Sequence, residues 1–184
     1  MSANDTAAPR FDDAVRARLD TLVSRYPTPR AALLPALWVA QEVYGGWLPP
    51  AAMREVAEHL GVAESDVAGV ATFYTMYNKE PIGTHCIEIC QNISCMVLGA
   101  DELIAHAEHR LGVAAGETTP DGKFTLARVE CLGACCNAPA LQVGGRYHEN
   151  VTPDAFDRIV ESLKDAPSEV VSPPQAAMPE QASF

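Results

Sequence analysis

No stretch of this chain is apolar for long enough to cross a bilayer. The longest apolar run, AALLPALWVA at residues 31–40, is half of the ~20 residues that a spanning helix needs. The opening residues, MSANDTAAPRFDD, lack the basic start and apolar core of a secretory signal, so a cytosolic location is expected. Basic side chains are scarce: 13 Lys and Arg stand against 24 Asp and Glu, a formal net charge of −11. Seven basic and ten acidic residues in 1–80 leave −3, while six and fourteen in 81–184 leave −8. Such a surface repels phosphate backbones, which argues against nucleic acid and for a basic protein face as partner. A glycine-rich phosphate loop is also missing. There is no internal repeat.

What is present suffices for one or two small domains, since 48% of the residues are hydrophobic, an ordinary globular share. Residues 11–26 carry Val15, Leu19, Leu22, Val23 and Tyr26 on one helical face, ended by Pro27. Thr28 and Pro29 read as a cap and first-turn proline for a second helix that runs to Gly45 and Gly46; Pro35 must sit early in it or kink it. Further helices are expected over Ala51–Leu60, with Gly61 as C-cap, and from Ser65 to about Phe73. Together these make a helical bundle over 11–80.

From residue 81 the pattern changes. GTHCIEIC alternates as a strand, a helix fits Ala100–Leu111, and FTLARVEC at 124–131 reads as a second strand. Residues 140–143 and 146–148 flank Gly144-Gly145 as a hairpin, and Thr152-Pro153 opens a last helix. The expected class is α+β: a helical bundle followed by a small α/β domain over 81–166, with flexible ends at 1–10 and 167–184.

All six cysteines fall in this second part, at positions 86, 90, 95, 131, 135 and 136. Cytosolic thiols stay reduced, so a cluster of them favours metal or redox chemistry over disulfides. Cys90-x4-Cys95 and Cys131-x3-Cys135 lie at or just beyond the ends of the two strands, and parallel pairing of those strands would bring both loops to one end of a sheet. Four thiolates with no interleaved carboxylate or imidazole suit a soft metal centre, and zinc and iron-sulfur both remain open on spacing. The wide gaps suit two irons side by side, and small Gly133 and Ala134 would let backbone N–H groups approach the sulfurs. Cys86 lies roughly 13 Å before Cys90 along an extended strand, and Cys136 neighbours Cys135 with a diverging side chain; both read as buried free thiols.

The stretches GTHCIEICQNISC, GETTPDGKFTLARVECLGACCNAP and ATFYTMYN closely resemble the small iron-sulfur subunit of respiratory NADH:quinone oxidoreductase, the NuoE family of bacterial complex I. The similarity spans about residues 11–165. It implies a thioredoxin-like ferredoxin domain at 81–166 holding one [2Fe-2S] cluster on Cys90, Cys95, Cys131 and Cys135, with no catalytic residue on this chain. It further implies a place beside the partner subunit that carries FMN and oxidises NADH, with other peripheral-arm iron-sulfur subunits nearby, on the cytoplasmic side of the inner membrane and not inserted in it. Equivalent small subunits of soluble NAD-linked formate dehydrogenases or hydrogenases resemble the same family, and a zinc-stabilised interaction module is the non-redox alternative.

Other residues invite blander readings. His106 and His109 share a helical face beside Glu102 and Glu108, expected to be solvated surface. His85 and His148 are single histidines with no partner set. Phe73, Tyr74, Met76 and Tyr77 are expected to pack in a core, with docking to a partner as the alternative.

Overall fold

The computed structural model describes residues 10–167. The flexible ends expected at 1–10 and 167–184 therefore lie, but for Arg10 and Pro167, outside the described residues. Within them the chain divides between Pro81 and Ile82 into two units.

The first unit is helical. Its elements are α1 (Asp13–Val23), a 3-10 turn (Pro29–Ala32), α2 (Leu33–Val43), α3 (Pro50–Leu60) and α4 (Glu64–Phe73). Asp12 caps α1 by accepting the Val15 N–H. This helix stops at Val23, three residues short of the apolar pattern, because Ser24–Tyr26 turn before Pro27. Thr28 caps the 3-10 turn, not α2 itself. Pro35 is then the third residue of α2, where its missing N–H breaks no helical bond, so the kink it threatened is avoided. Leu19, Leu37, Leu48, Val56, Val67 and Tyr77 form the fully buried centre. The aromatic run splits: Tyr77 is buried and donates its hydroxyl to the Leu34 carbonyl at 2.8 Å, whereas Phe73 is 77% exposed. Core packing therefore holds for Tyr77 and not for Phe73, the last residue of α4.

The second unit is a four-stranded sheet with helices. In chain order it has β1 (His85–Cys90), α5 (Ile93–Val97), α6 (Ala100–Leu111), β2 (Phe124–Val129), β3 (Leu141–Val143), β4 (Arg146–His148) and α7 (Pro153–Leu163). The strand order is β2-β1-β3-β4, with β1 parallel to β2 and antiparallel to β3. Ile87, Ile89, Leu126, Leu141 and Val143 are buried in one core with Leu103, Ile104 and Ala107 of α6 and Phe156 and Val160 of α7. Gly144 and Gly145, both with positive φ, turn β3 into β4.

This topology positions the site. A parallel neighbour must start from the same end, so the chain crosses over through α5 and α6, and β1 and β2 finish together with Cys90 opposite Val129. The Gln91 N–H reaches the Val129 carbonyl at 2.9 Å and the Cys90 N–H the Ala140 carbonyl at 3.1 Å. Both cysteine loops consequently leave the sheet at one end.

Candidate metal centre

Cys90 closes β1 and Cys95 lies on α5; both are buried. The four residues between them do not run extended. Asn92 accepts the Ile93 N–H at 2.9 Å and starts the single helical turn of α5, which folds Cys95 back onto Cys90. Sequence periodicity could not reveal α5, which is five residues long; the only signal was Asn92 as a cap before Ile-Ser-Cys-Met-Val.

The two sulfurs act on each other. Burial pushes the Cys90 thiol up, but N–H groups of Asn92 and Leu132 and the Cys95 thiol more than offset it, so Cys90 ionises below the ordinary thiol value. As a neutral thiol it donates to the Glu130 carbonyl at 3.4 Å. Cys95 moves the other way: burial, then the hydrogen bond and charge of Cys90, with a smaller push from Cys135, raise it against the Ala140 N–H. The pair thus holds one negative charge readily and resists a second.

Around the pair lie Ala100, Ala138 and Ala140, with Leu132 and Ala134 packed against them. Cys135 opens a short 3-10 turn over Cys135–Asn137, and it, Cys131 and Cys136 are exposed, so Cys136 is not the buried thiol expected of it. Gly133 takes φ +77 between Cys131 and Cys135, a bend that a side chain would strain. The loop is tied down behind the cysteines by Asn150 N–H to the Asn137 carbonyl (2.7 Å) and Val151 N–H to the Pro139 carbonyl (2.9 Å).

The structure therefore brings Cys90 and Cys95 into contact and sets Cys135 within electrostatic reach of Cys95. Cys131 is not drawn into a group with them: among the described residues no three His, Cys, Asp or Glu side chains close around a single ion. All six cysteines are free thiols. Cys86 sits four residues up β1, its pKa pushed up to about 12 by burial and then by Glu88. The donor set fits an iron-sulfur group on chemistry: sulfur only, a buried pair, small apolar neighbours, and backbone N–H groups aimed at the sulfurs. Which N–H groups serve the pair could not be read in advance, since backbone donors carry no residue signature.

The profile of the thioredoxin-like [2Fe-2S] ferredoxin family matches residues 19–164. The chain belongs to this family. It is 46% identical over 152 residues to an E-type subunit of NADH-quinone oxidoreductase from Rhizobium meliloti (strain 1021), covering 83% of this chain and 90% of that one. To the E-type subunit of the same oxidoreductase in Pseudomonas aeruginosa it is 38% identical over 152 residues, covering 83% and 91%. Among solved structures, an NAD+-reducing [NiFe]-hydrogenase in the H2-reduced state shares the fold, with a TM-score of 0.62 at 21% identity over 72% of this chain. The similarity spans only 23% of that hydrogenase chain.

Among the described residues no histidine joins the cysteines in a group that could hold a metal ion. His106 is only partly solvated: its Nε2 lies 3.0 Å from Asp157 Oδ1 and its ring meets Phe156 edge-on, linking α6 to α7. The helical spacing hid this because Asp157 is 51 residues away. His109 is exposed. His85 is buried against Phe124, with its Nδ1 unpartnered.

Proposed function

We propose that the protein is the small electron-transfer subunit of an NADH:quinone oxidoreductase and holds one [2Fe-2S] cluster on Cys90, Cys95, Cys131 and Cys135. The observation that carries this is the buried Cys90–Cys95 pair served by the N–H groups of Asn92, Leu132 and Ala140. When bound, the cluster supplies a one-electron carrier. The chain's own residues do the rest. The pair offers its sulfurs from a dry alanine-lined floor, and its N–H donors favour negative charge on them. Cys131 and Cys135 supply two further thiolates from the loop.

Electrons arrive singly from FMN on the NADH-oxidising partner subunit, and other peripheral-arm iron-sulfur subunits complete the assembly on the cytoplasmic face of the membrane. No helix among the described residues is long and apolar enough to cross a membrane. The high identity to oxidoreductase subunits along nearly their whole length supports the reading.

The test is metal and sulfide analysis of the full chain isolated with its co-purifying partners. Iron and labile sulfide in equal amounts, with a reddish-brown colour, are expected. A colourless chain with one zinc would overturn the proposal. Co-purification with a soluble formate dehydrogenase or hydrogenase would keep the cluster and change the complex.

A further inference from the structure

The loop at residues 131–136 offers one sulfur more than the cluster takes from it. Cys131, Cys135 and Cys136 are all exposed there, whereas Cys90 and Cys95 are each only 3% exposed. Cys136 has no part in holding the cluster, yet its place is well defined. It is the middle residue of the turn Cys135–Asn137, where the Asn137 N–H reaches the Ala134 carbonyl at 3.0 Å. The Asn137 carbonyl accepts the Asn150 N–H at 2.7 Å, and its side chain donates to Glu149 Oε2 at 2.9 Å. Consecutive Cα atoms are about 3.8 Å apart, and a turn of about three residues sets neighbouring side chains roughly 120° apart. The two sulfurs therefore diverge, but a group held by one lies within reach of the other.

We infer that Cys136 is a transit ligand: it takes the [2Fe-2S] cluster from a thiolate-bound carrier and passes it to Cys135, with the buried pair engaging last. The inference rests on the electron-transfer reading above. Exposure sets the order. A delivered cluster arrives wrapped in the carrier's thiolates, and only sulfurs in water can meet it, so Cys90 and Cys95 are reached after the loop. Of the adjacent pair, Cys135 is the one within electrostatic reach of buried Cys95. Cys136, further round the turn, is thus the one that a bulky carrier meets first. Each step is a ligand exchange at iron in which no electron moves. The bond from iron to one carrier thiolate breaks as the bond to Cys136 forms, and the Cys136 proton leaves on the carrier's sulfur. Cys135 then displaces Cys136, which regains a proton from it; both belong to one chain, so proximity replaces a second encounter. Cys131, Cys90 and Cys95 displace the three remaining carrier thiolates in the same way.

The experiment mixes the full-length chain, freed of iron and kept reduced, with a glutathione-ligated [2Fe-2S] cluster and follows visible circular dichroism. Two phases are expected: capture, whose rate rises with donor concentration, and settling, whose rate does not. Cys136→Ser is expected to slow capture at least about fivefold and still to reach the wild-type final spectrum. Were the three exposed thiols equivalent, losing one would slow capture only about 1.5-fold. Cys86→Ala, which removes a thiol outside the loop, is expected to match wild type in both phases. Cys90→Ala is expected to capture at the wild-type rate without reaching the wild-type final spectrum. A smaller slowing in Cys136→Ser would overturn the transit role and leave the electron-transfer reading intact. So would an altered final spectrum in that variant, which would make Cys136 a resident ligand. Capture slowed equally by Cys90→Ala would overturn the loop-first order. A wild-type chain that takes up no cluster, from this donor or from free iron and sulfide, would overturn the reading itself.

Discussion

Replacing Tyr44 by Phe removes one oxygen from a buried polar cluster of the helical unit. Tyr44 is 3% exposed, and its hydroxyl donates to Glu55 Oε2. The same carboxylate accepts the N–H of Arg10 and of Phe11, each at 3.1 Å, and Arg16 stands 4.0 Å away. A hydrogen bond to a charged acceptor contributes roughly 1.5–3 kcal/mol, and Glu55 keeps its other donors, so a loss of about 2 kcal/mol is expected at pH 7. Alkaline pH supplies a second readout. Burial, then the hydrogen bond to and charge of Glu55, raise the Tyr44 hydroxyl to about 12. The folded state therefore holds this proton more tightly than the unfolded chain does, whose tyrosine ionises near 10. That contribution is complete below pH 10 and is lost as pH rises from 10 through 12; by pH 11 the loss amounts to about 1.4 kcal/mol. Both tryptophans, Trp38 and Trp47, belong to this unit, so urea titrations followed by tryptophan fluorescence isolate it. Tyr44→Phe should be less stable at pH 7 and should lose less stability than wild type between pH 9 and 11. Equal midpoints at pH 7 with parallel pH profiles would refute the role given to the Tyr44–Glu55 bond.

Two further outcomes concern the second unit. Alanine at Cys131 or Cys135 should abolish the visible spectrum, whereas alanine at Cys86 should leave it; a bleached Cys86→Ala variant would overturn the ligand choice. Asp157 joins α7 to His106 at 3.0 Å and to Arg110 at 3.2 Å on α6, all partly exposed. Asp157→Ala should therefore lower stability by only about 0.5–1 kcal/mol, read as the urea midpoint in far-UV circular dichroism, and a shift several times larger would mean the pair is far less solvated than its exposure implies.

Much of the fold was legible because local signals are strong where they occur. Thr152-Pro153, Gly61 and Gly144-Gly145 mark their helix start, helix end and hairpin at the positions observed, each through a backbone or capping preference that needs no distant partner. Errors arose where the deciding contact was remote or the element short. The end of α1, the 3-10 turn before α2, and α5 are each settled by a few hydrogen bonds that periodicity cannot resolve. The contact of partly exposed His106 with Asp157 gave no local signal because its partner belongs to another helix.

Read as a string of residues, the chain already reveals its α+β class, the confinement of every cysteine to the part beyond residue 81, and the all-sulfur, uncharged character of the stretches that carry Cys90, Cys95, Cys131 and Cys135. Residue chemistry and spacing are local properties, present before the chain folds. Which sulfurs share an environment depends instead on folding. The parallel register of β1 with β2 and the single turn of α5 set Cys90 against Cys95, bury that pair among alanines, and leave Ile93, Val97 and Leu98 facing water. Burial and backbone N–H donation depend on what distant segments cover, so the same residue type becomes an easily ionised thiol at Cys90 and a strongly proton-bound one at Cys86.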